Sequence, residues 1–130
     1  MRIPNWPHAL AEYIRERQDQ PFKFGVHDCA HFAAGAVHAI TEEYPNFPNY
    51  KTEHAALTMI AKKSLQHRTR EILGEEISVN MAQRGDIIMF VDEINGPSLG
   101  VCFGANSIFI SKHGLLHVKT ADCLCAWRIE

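Results

Sequence analysis

Hydrophobic and polar residues follow a helical spacing at the start of the chain. Leu10, Tyr13 and Ile14 recur at intervals of one to four positions, with charged residues between them. This spacing places the apolar side chains on one face of a helix. The pattern predicts a helix from about Pro7 to Gln18.

A second, more apolar helix is predicted from Asp28 to about Glu43. Asp28 is suited to the N-cap, because its carboxylate can accept a hydrogen bond from an unpaired N–H of the first turn. The many alanines and Gly35 would let this helix lie close to another element. Two further helical segments are predicted, Glu53 to Gln66 and Thr69 to Gly74.

The pattern changes after Gln83. Short apolar runs separated by turn residues predict five β-strands, at about 86–91, 99–103, 107–111, 115–119 and 124–129. Their close spacing favours an antiparallel meander. Because the helices come first and the strands second, we expect an α+β fold in one domain spanning residues 1–130.

Composition and charge narrow the classes of function. Of the 130 residues, 46% are hydrophobic and 22% charged, which is typical of a globular domain. The net charge of −2 argues against nucleic acid as a partner, since phosphate binding needs a surplus of Lys and Arg. No apolar run approaches the roughly 20 residues of a membrane span. We therefore expect no membrane partner, and synthesis in the cytoplasm.

The four cysteines, Cys29, Cys102, Cys123 and Cys125, include no C-x-x-C pair. We expect reduced thiols, with Cys123 and Cys125 on one face of a strand and Cys102 facing the helix that carries Cys29. No metal or cofactor is expected, because the spacing matches no defensible ligand motif. Zinc or an iron–sulfur cluster stays open as an alternative, since thiols and eight histidines are available.

Cys29 is the candidate nucleophile. A helix N-terminus can lower the pKa of a thiol through its dipole and its unpaired N–H groups. A histidine within hydrogen-bonding reach would be needed as a base. Gly25 would let the backbone pass close to a substrate. The alternative is that Cys29 only packs, as a cysteine on an alanine-rich helix usually does.

Several short motifs occur in an order that resembles a known family. They are Trp6-Pro7, Pro21-Phe22 with Gly25, Asp28-Cys29, Gly85-Asp86, Leu99-Gly100, His113-Gly114-Leu115 and Ala126-Trp127-Arg128-Ile129. The chain resembles the NlpC-type papain-like cysteine peptidases, which cleave peptides of the bacterial cell wall. It more closely resembles a family encoded in the tail modules of tailed phages and prophages. The resemblance implies a papain-like fold, with N-terminal helices packed on a C-terminal antiparallel sheet.

The chain departs from the NlpC-type pattern at two positions. The catalytic histidine is expected directly before Leu99, where this chain has Ser98, and the third polar residue falls near Ile110. Neither serine nor isoleucine can replace an imidazole base or its orienting group. His113 and His117 are the candidate substitutes from the sheet.

His27 and His31 lie near Cys29 in sequence. His31 is a poor partner, since it lies about 200° around the helix from Cys29. The candidate catalytic set is therefore Cys29, His113, His117 and Asp28. Candidate substrate-binding residues are Ser98, Gly25 and His27.

Three functions follow as expectations. The first is a phage tail-tip component with an incomplete catalytic set, acting in tail assembly or in entering the host cell. Its partners would be other tail proteins, and it would pass from the host cytoplasm to the virion tail. The second is an active cysteine peptidase that cleaves cell-wall peptide during infection. The third is a tail protein that holds a metal through its cysteines.

Overall fold

The computed structural model describes residues 1–23, 27–47, 52–55, 58, 64–94 and 96–130. Within these ranges the helices precede the strands, which confirms the predicted α+β order. The helices are α1 (Trp6–Arg17), α2 (Cys29–Thr41) and α3 (Leu65–Leu73). The strands are β1 (Ile87–Asp92), β2 (Gly96–Cys102), β3 (Asn106–Ser111), β4 (Gly114–Lys119) and β5 (Cys125–Trp127).

The five strands form one antiparallel sheet in the order β4-β3-β2-β1-β5. The first four strands follow one another as predicted. β5 instead pairs with β1 at the opposite edge, with Ile87 across from Trp127. A 3-10 turn at Thr120–Asp122 precedes this return, and the N–H of Leu124 then donates to the carbonyl of Met89.

The sheet is apolar on both faces. One face carries residues such as Leu99 and Val101, and it packs against α1 and α2. The other face carries Ile88 and Phe109 and is covered by the segment that precedes β1. This burial on two sides explains why the strands read as continuous apolar runs rather than as alternating ones.

Two predictions about the cysteines are wrong. Cys102 pairs with Ser107, on the face away from the helices, because Val101 is the residue of β2 that faces α2. Cys123 precedes β5 and lies in the second core, whereas Cys125 lies in the first. All four cysteines are free thiols.

The sequence predicted that another element lies close to α2, and that element is α1. Tyr13 lies across Gly35, and a Cβ at that position would overlap the ring and the hydroxyl of Tyr13. The hydroxyl donates to the backbone carbonyl of Phe32 at 2.9 Å. Glycine is therefore the residue that lets the two helices pack at this distance.

The boundary predicted between the third and fourth helices is wrong. α3 begins at Leu65 and runs unbroken through the predicted gap, because the Ser64 side chain accepts from the N–H of His67 and caps the helix there. Residues 53–55 and 58 are helical. The rest of the predicted Glu53–Gln66 helix before Ser64 lies outside the described residues.

Asp86, directly before β1, joins the two ends of the chain. Its buried carboxylate accepts from Arg2 at 3.0 Å, from Arg128 at 3.1 Å and from two backbone N–H groups, those of Gln83 and Ile129. Four donors satisfy this buried charge, so Asp86 is structural. No described helix is long and apolar enough to cross a bilayer.

Candidate functional site

Cys29 is the first residue of α2, and Asp28 is its N-cap, as predicted. Asp28 is almost fully buried, and its Oδ1 accepts from the backbone N–H of His31 at 2.9 Å. The same oxygen lies 2.8 Å from Nδ1 of His31. The aspartate thus fixes the start of the helix and holds the His31 ring next to the cap.

The sulfur of Cys29 meets the beginning of β2. The hydroxyl of Ser98 and the backbone N–H of Leu99 both act as hydrogen-bond donors toward it, as does the N–H of Ala30 in the helix. Ser98 therefore touches the thiol from the strand position at which the sequence resemblance expected a histidine. The polar partner of the candidate nucleophile is a hydroxyl.

Burial raises the pKa of the Cys29 thiol, and the carboxylate of Asp28 raises it further. The hydrogen bonds from Leu99, Ser98 and Ala30 lower it, but they do not compensate for burial. Part of Cys29 reaches the surface, yet its thiol is buried. The helix N-terminus was expected to favour a thiolate, whereas this environment keeps the thiol protonated at neutral pH.

His113 and His117 lie toward the β4 edge of the sheet. His113 is exposed in the turn between β3 and β4, and His117 is exposed on β4 across from Ile108. β4 is two strands away from β2, or about 10 Å at ordinary strand spacing. Across the described residues, no hydrogen bond or ion pair joins either imidazole to Cys29.

His27 turns toward α1. Its backbone pairs with Lys23, and its ring bonds to the backbone carbonyl of Arg17 at the end of α1. Burial and the Arg17 charge lower the pKa of this imidazole, so the ring is neutral at pH 7. Gly25, the other predicted substrate-binding residue of this segment, lies outside the described residues.

A match to a protein family spans both segments that form this site, the start of α2 and the start of β2. The family model of the domain of unknown function DUF6950 matches residues 1–129, from α1 to beyond β5. The chain belongs to the DUF6950 family. No curated protein matches the sequence. Because the match is continuous, Cys29 on α2 and Ser98 on β2 both belong to the family domain.

No cluster of three or more His, Cys, Asp or Glu residues suitable for a metal ion occurs in the described part of this DUF6950 chain. Cys102, Cys123 and Cys125 are each buried. Burial raises the pKa of both Cys123 and Cys125 to about 11, which opposes the deprotonation that metal binding requires. The described residues give the metal alternative no support.

Sequence reasoning missed a second group of polar residues, between α1 and α2. Tyr13, Arg17, His31 and His38 line a cavity there together with His27. One signal was available, since His31 and His38 are seven positions apart and so share a helix face. Arg17 gave no such signal, because its charge is ordinary for the polar face of a helix.

Proposed function

We propose that this chain is a phage tail-tip component with a papain-like, NlpC-type fold whose catalytic set is incomplete. The observation that carries this proposal is the contact between Cys29 and Ser98. A peptidase of this type needs an imidazole at that point, to take the thiol proton and later return it to the leaving group. A serine hydroxyl can donate to sulfur but cannot serve as that base.

The position of Ile110 supports the same proposal. In the NlpC-type pattern a polar residue near this place would orient the histidine. Ile110 is 6% exposed and belongs to the hydrophobic core beside the helices. A polar group here would be buried among apolar side chains, so neither the base nor its orienting partner has a place in the present sequence.

The tail assignment rests on the order of motifs along the chain. On this proposal the Asp28-Cys29 helix start keeps the shape of the fold, because it caps α2 and packs against β2. The partners are other tail proteins, and the chain moves from the host cytoplasm into the virion tail. Its role is in tail assembly or in entering the host cell.

The alternative proposal is an active cysteine peptidase that cleaves cell-wall peptide during infection. The retained cysteine at a helix N-terminus favours it, with His113 or His117 reaching the thiol once substrate is bound. Incubation of purified protein with peptidoglycan separates the two proposals. We expect no released peptide, whereas release by the natural chain that is lost in Cys29→Ala would establish the peptidase.

A gain-of-function variant tests the incomplete catalytic set directly. Ser98→His places an imidazole at the position that now contacts the sulfur, so it should speed the reaction of Cys29 with iodoacetamide at pH 7 by about tenfold, the effect of lowering the thiol pKa by one unit. Ser98→Asn is the matched control, because it adds bulk without a base. Equal rates in the two variants would contradict the proposed geometry.

The tail role has its own test in the phage that encodes the chain. Cys29→Ala should leave tail formation and infectivity intact, because the thiol does no chemistry on this proposal. Mass spectrometry of purified virions should detect the chain in the tail. Normal tails on non-infective Cys29→Ala particles would favour the peptidase, and virions that lack the chain would contradict the tail-component role.

A further inference from the structure

The two edges of the sheet differ. β5, at one edge, is three residues long, and its outer side pairs with Ile77. The N–H of Ile77 donates to the carbonyl of Ala126 at 2.8 Å, and the N–H of Ala126 donates back to the carbonyl of Ile77 at 3.0 Å. β4, at the other edge, is six residues long and pairs only with β3 among the described residues. One edge of the sheet is therefore closed, whereas the other is open.

The backbone of β4 is suited to pairing with a further strand. In an antiparallel sheet every second residue of an edge strand directs its N–H and C=O groups away from its neighbour. Natural sheets commonly protect such groups with a proline, a bulge, charged residues or a short strand. β4 has no proline, its pairing with β3 runs without a bulge from Lys119 to Gly114, and its only lysine is its last residue. β4 therefore offers a regular row of donors and acceptors.

The side chains of β4 differ in character between the two faces of the sheet. His117 and Lys119 lie on the face that carries Ile108, and both are exposed. Leu116 and Val118 lie on the opposite face, because side chains alternate along a strand. Val118 packs against the second core, and Leu116 is 43% exposed. A strand added at this edge would meet polar and apolar side chains in turn.

The hairpin formed by β3 and β4 is basic. Residues 106–119 contain two lysines and two histidines but no aspartate or glutamate, in a chain whose net charge is −2. These four side chains are all exposed, and they belong to Lys112, His113, His117 and Lys119. Within the described ranges none of them makes an ion pair. The nearest acidic residue along the chain is Asp122, in the 3-10 turn beyond the end of β4. The positive charge of the open edge is thus not balanced by the described part of the chain.

We propose that β4 binds an extended acidic segment of a partner protein, which pairs with it antiparallel as a sixth strand of the sheet. Carboxylates of that segment lie across from His117 and Lys119, and apolar residues between them lie beside Leu116 and Val118. Opposite charges on adjacent strands stabilise their pairing. A neutral imidazole also donates one N–H to a carboxylate. The partner is therefore recognised by alternating acidic and apolar residues.

A second copy of this chain fits the open edge less well. Two β4 strands paired about a two-fold axis would bring the lysines and histidines of both hairpins to one short interface. Like charges on adjacent strands are destabilising, whereas a segment that carries aspartate or glutamate neutralises the same positions. The inference uses no property of Cys29, so it stands or fails separately from the proposed function.

Two matched peptides test the proposal on the full chain. One is acetyl-Thr-Glu-Val-Glu-Val-Thr-amide, and the other has lysine in place of both glutamates. We expect the acidic peptide to bind with a dissociation constant at least about tenfold lower than that of the lysine peptide. Hydrogen exchange followed by NMR should become slower at alternate amides of β4, because these then donate to the peptide. An acidic peptide that is N-methylated at its central residues keeps its charge but loses its donors, so it should not bind.

Charge-reversing variants of β4 provide the second arm. Lys119→Glu and His117→Glu should each weaken binding of the acidic peptide about fivefold and strengthen binding of the lysine peptide. Lys23→Glu, at an exposed lysine outside the sheet, makes the same change in net charge as Lys119→Glu and should leave both affinities unchanged. Equal binding of the two peptides, binding of the N-methylated peptide, or dimerisation of the free chain through β4 would each overturn the proposal.

Discussion

The two sides of helix α2 carry different chemistry. The side that faces the sheet holds the thiol of Cys29 followed by buried small and apolar residues such as Ala33 and Ile40. The side that faces α1 holds the imidazoles of His31 and His38. The candidate nucleophile and the two histidines of α2 that line the cavity thus belong to opposite surfaces of one helix.

This difference shows why closeness in sequence does not make a catalytic pair. Cys29 and His31 are two positions apart on α2, so they are separated by about 200° around the helix and point to opposite faces. Asp28 strengthens the separation, because its carboxylate holds His31 on the α1 side. The sheet side offers the thiol only Ser98 and backbone N–H groups, so the polar residues of this helix serve its cap and its cavity.

The largest expected effect concerns the packing of the α1 side. Gly35→Ala should lower the free energy of unfolding by about 2 kcal/mol, because the added methyl group overlaps the fixed ring of Tyr13. Urea unfolding measures the change. In a Tyr13→Ala background the same substitution should be neutral or stabilising by up to about 1 kcal/mol, through helix propensity. An equal loss in both backgrounds would show that the helix contact is not the cause.

A smaller loss of stability is expected for substitutions of Asp28, the N-cap of α2. Asp28→Ala should cost about 1 kcal/mol of stability, because α2 loses its cap. Asp28→Asn keeps a capping oxygen and should cost less. It also removes a negative charge that raises the pKa of Cys29, so alkylation of this thiol should become faster. Slower alkylation in Asp28→Asn would contradict the assigned electrostatics.

The smallest effect is a pH dependence that arises from His27. Its pKa is lowered in the folded chain, so the unfolded chain binds a proton more readily as the pH falls below about 6.5. Stability should therefore decrease from pH 7 toward pH 5.5, with a slope below that of one full proton. His27→Gln should flatten this slope in thermal unfolding. The exposed His117→Gln is the matched control and should leave the slope unchanged.

The sequence allowed the local features to be predicted. Helical spacing located α1 and α2, and apolar runs between turn residues located all five strands. Asp28 was identified as the cap because its hydrogen bond reaches only three residues along the chain. These features depend on neighbours in sequence, so a single chain is sufficient to find them.

Contacts between distant segments could not be predicted in the same way. The pairing of β5 with β1 joins residues about 40 positions apart. The face of Cys102 depended on which side of β2 meets α2, and that of Cys123 depended on the return of the chain to β1. Both were predicted wrongly. The cavity required the end of α1, the segment at His27 and one face of α2 to meet, and no local pattern marks such a meeting.

The start of α3 shows an intermediate case. Ser64 is a residue type that commonly caps helices, and its hydrogen bond to His67 is local. The apolar spacing before it favoured a helix that continued through this position. The cap determined the boundary, so a closer reading of capping residues would have placed it.

The pH dependence of Cys29 alkylation tests the central claim most directly. Iodoacetamide labelling of the native chain, followed by peptide mass spectrometry to separate Cys29 from the three buried cysteines, gives its rate at each pH. We predict a slow rate at pH 7 that rises steadily into the alkaline range, because the thiol pKa lies above its ordinary value. A fast rate that is already constant between pH 6 and pH 8 would reveal a thiolate and contradict the account.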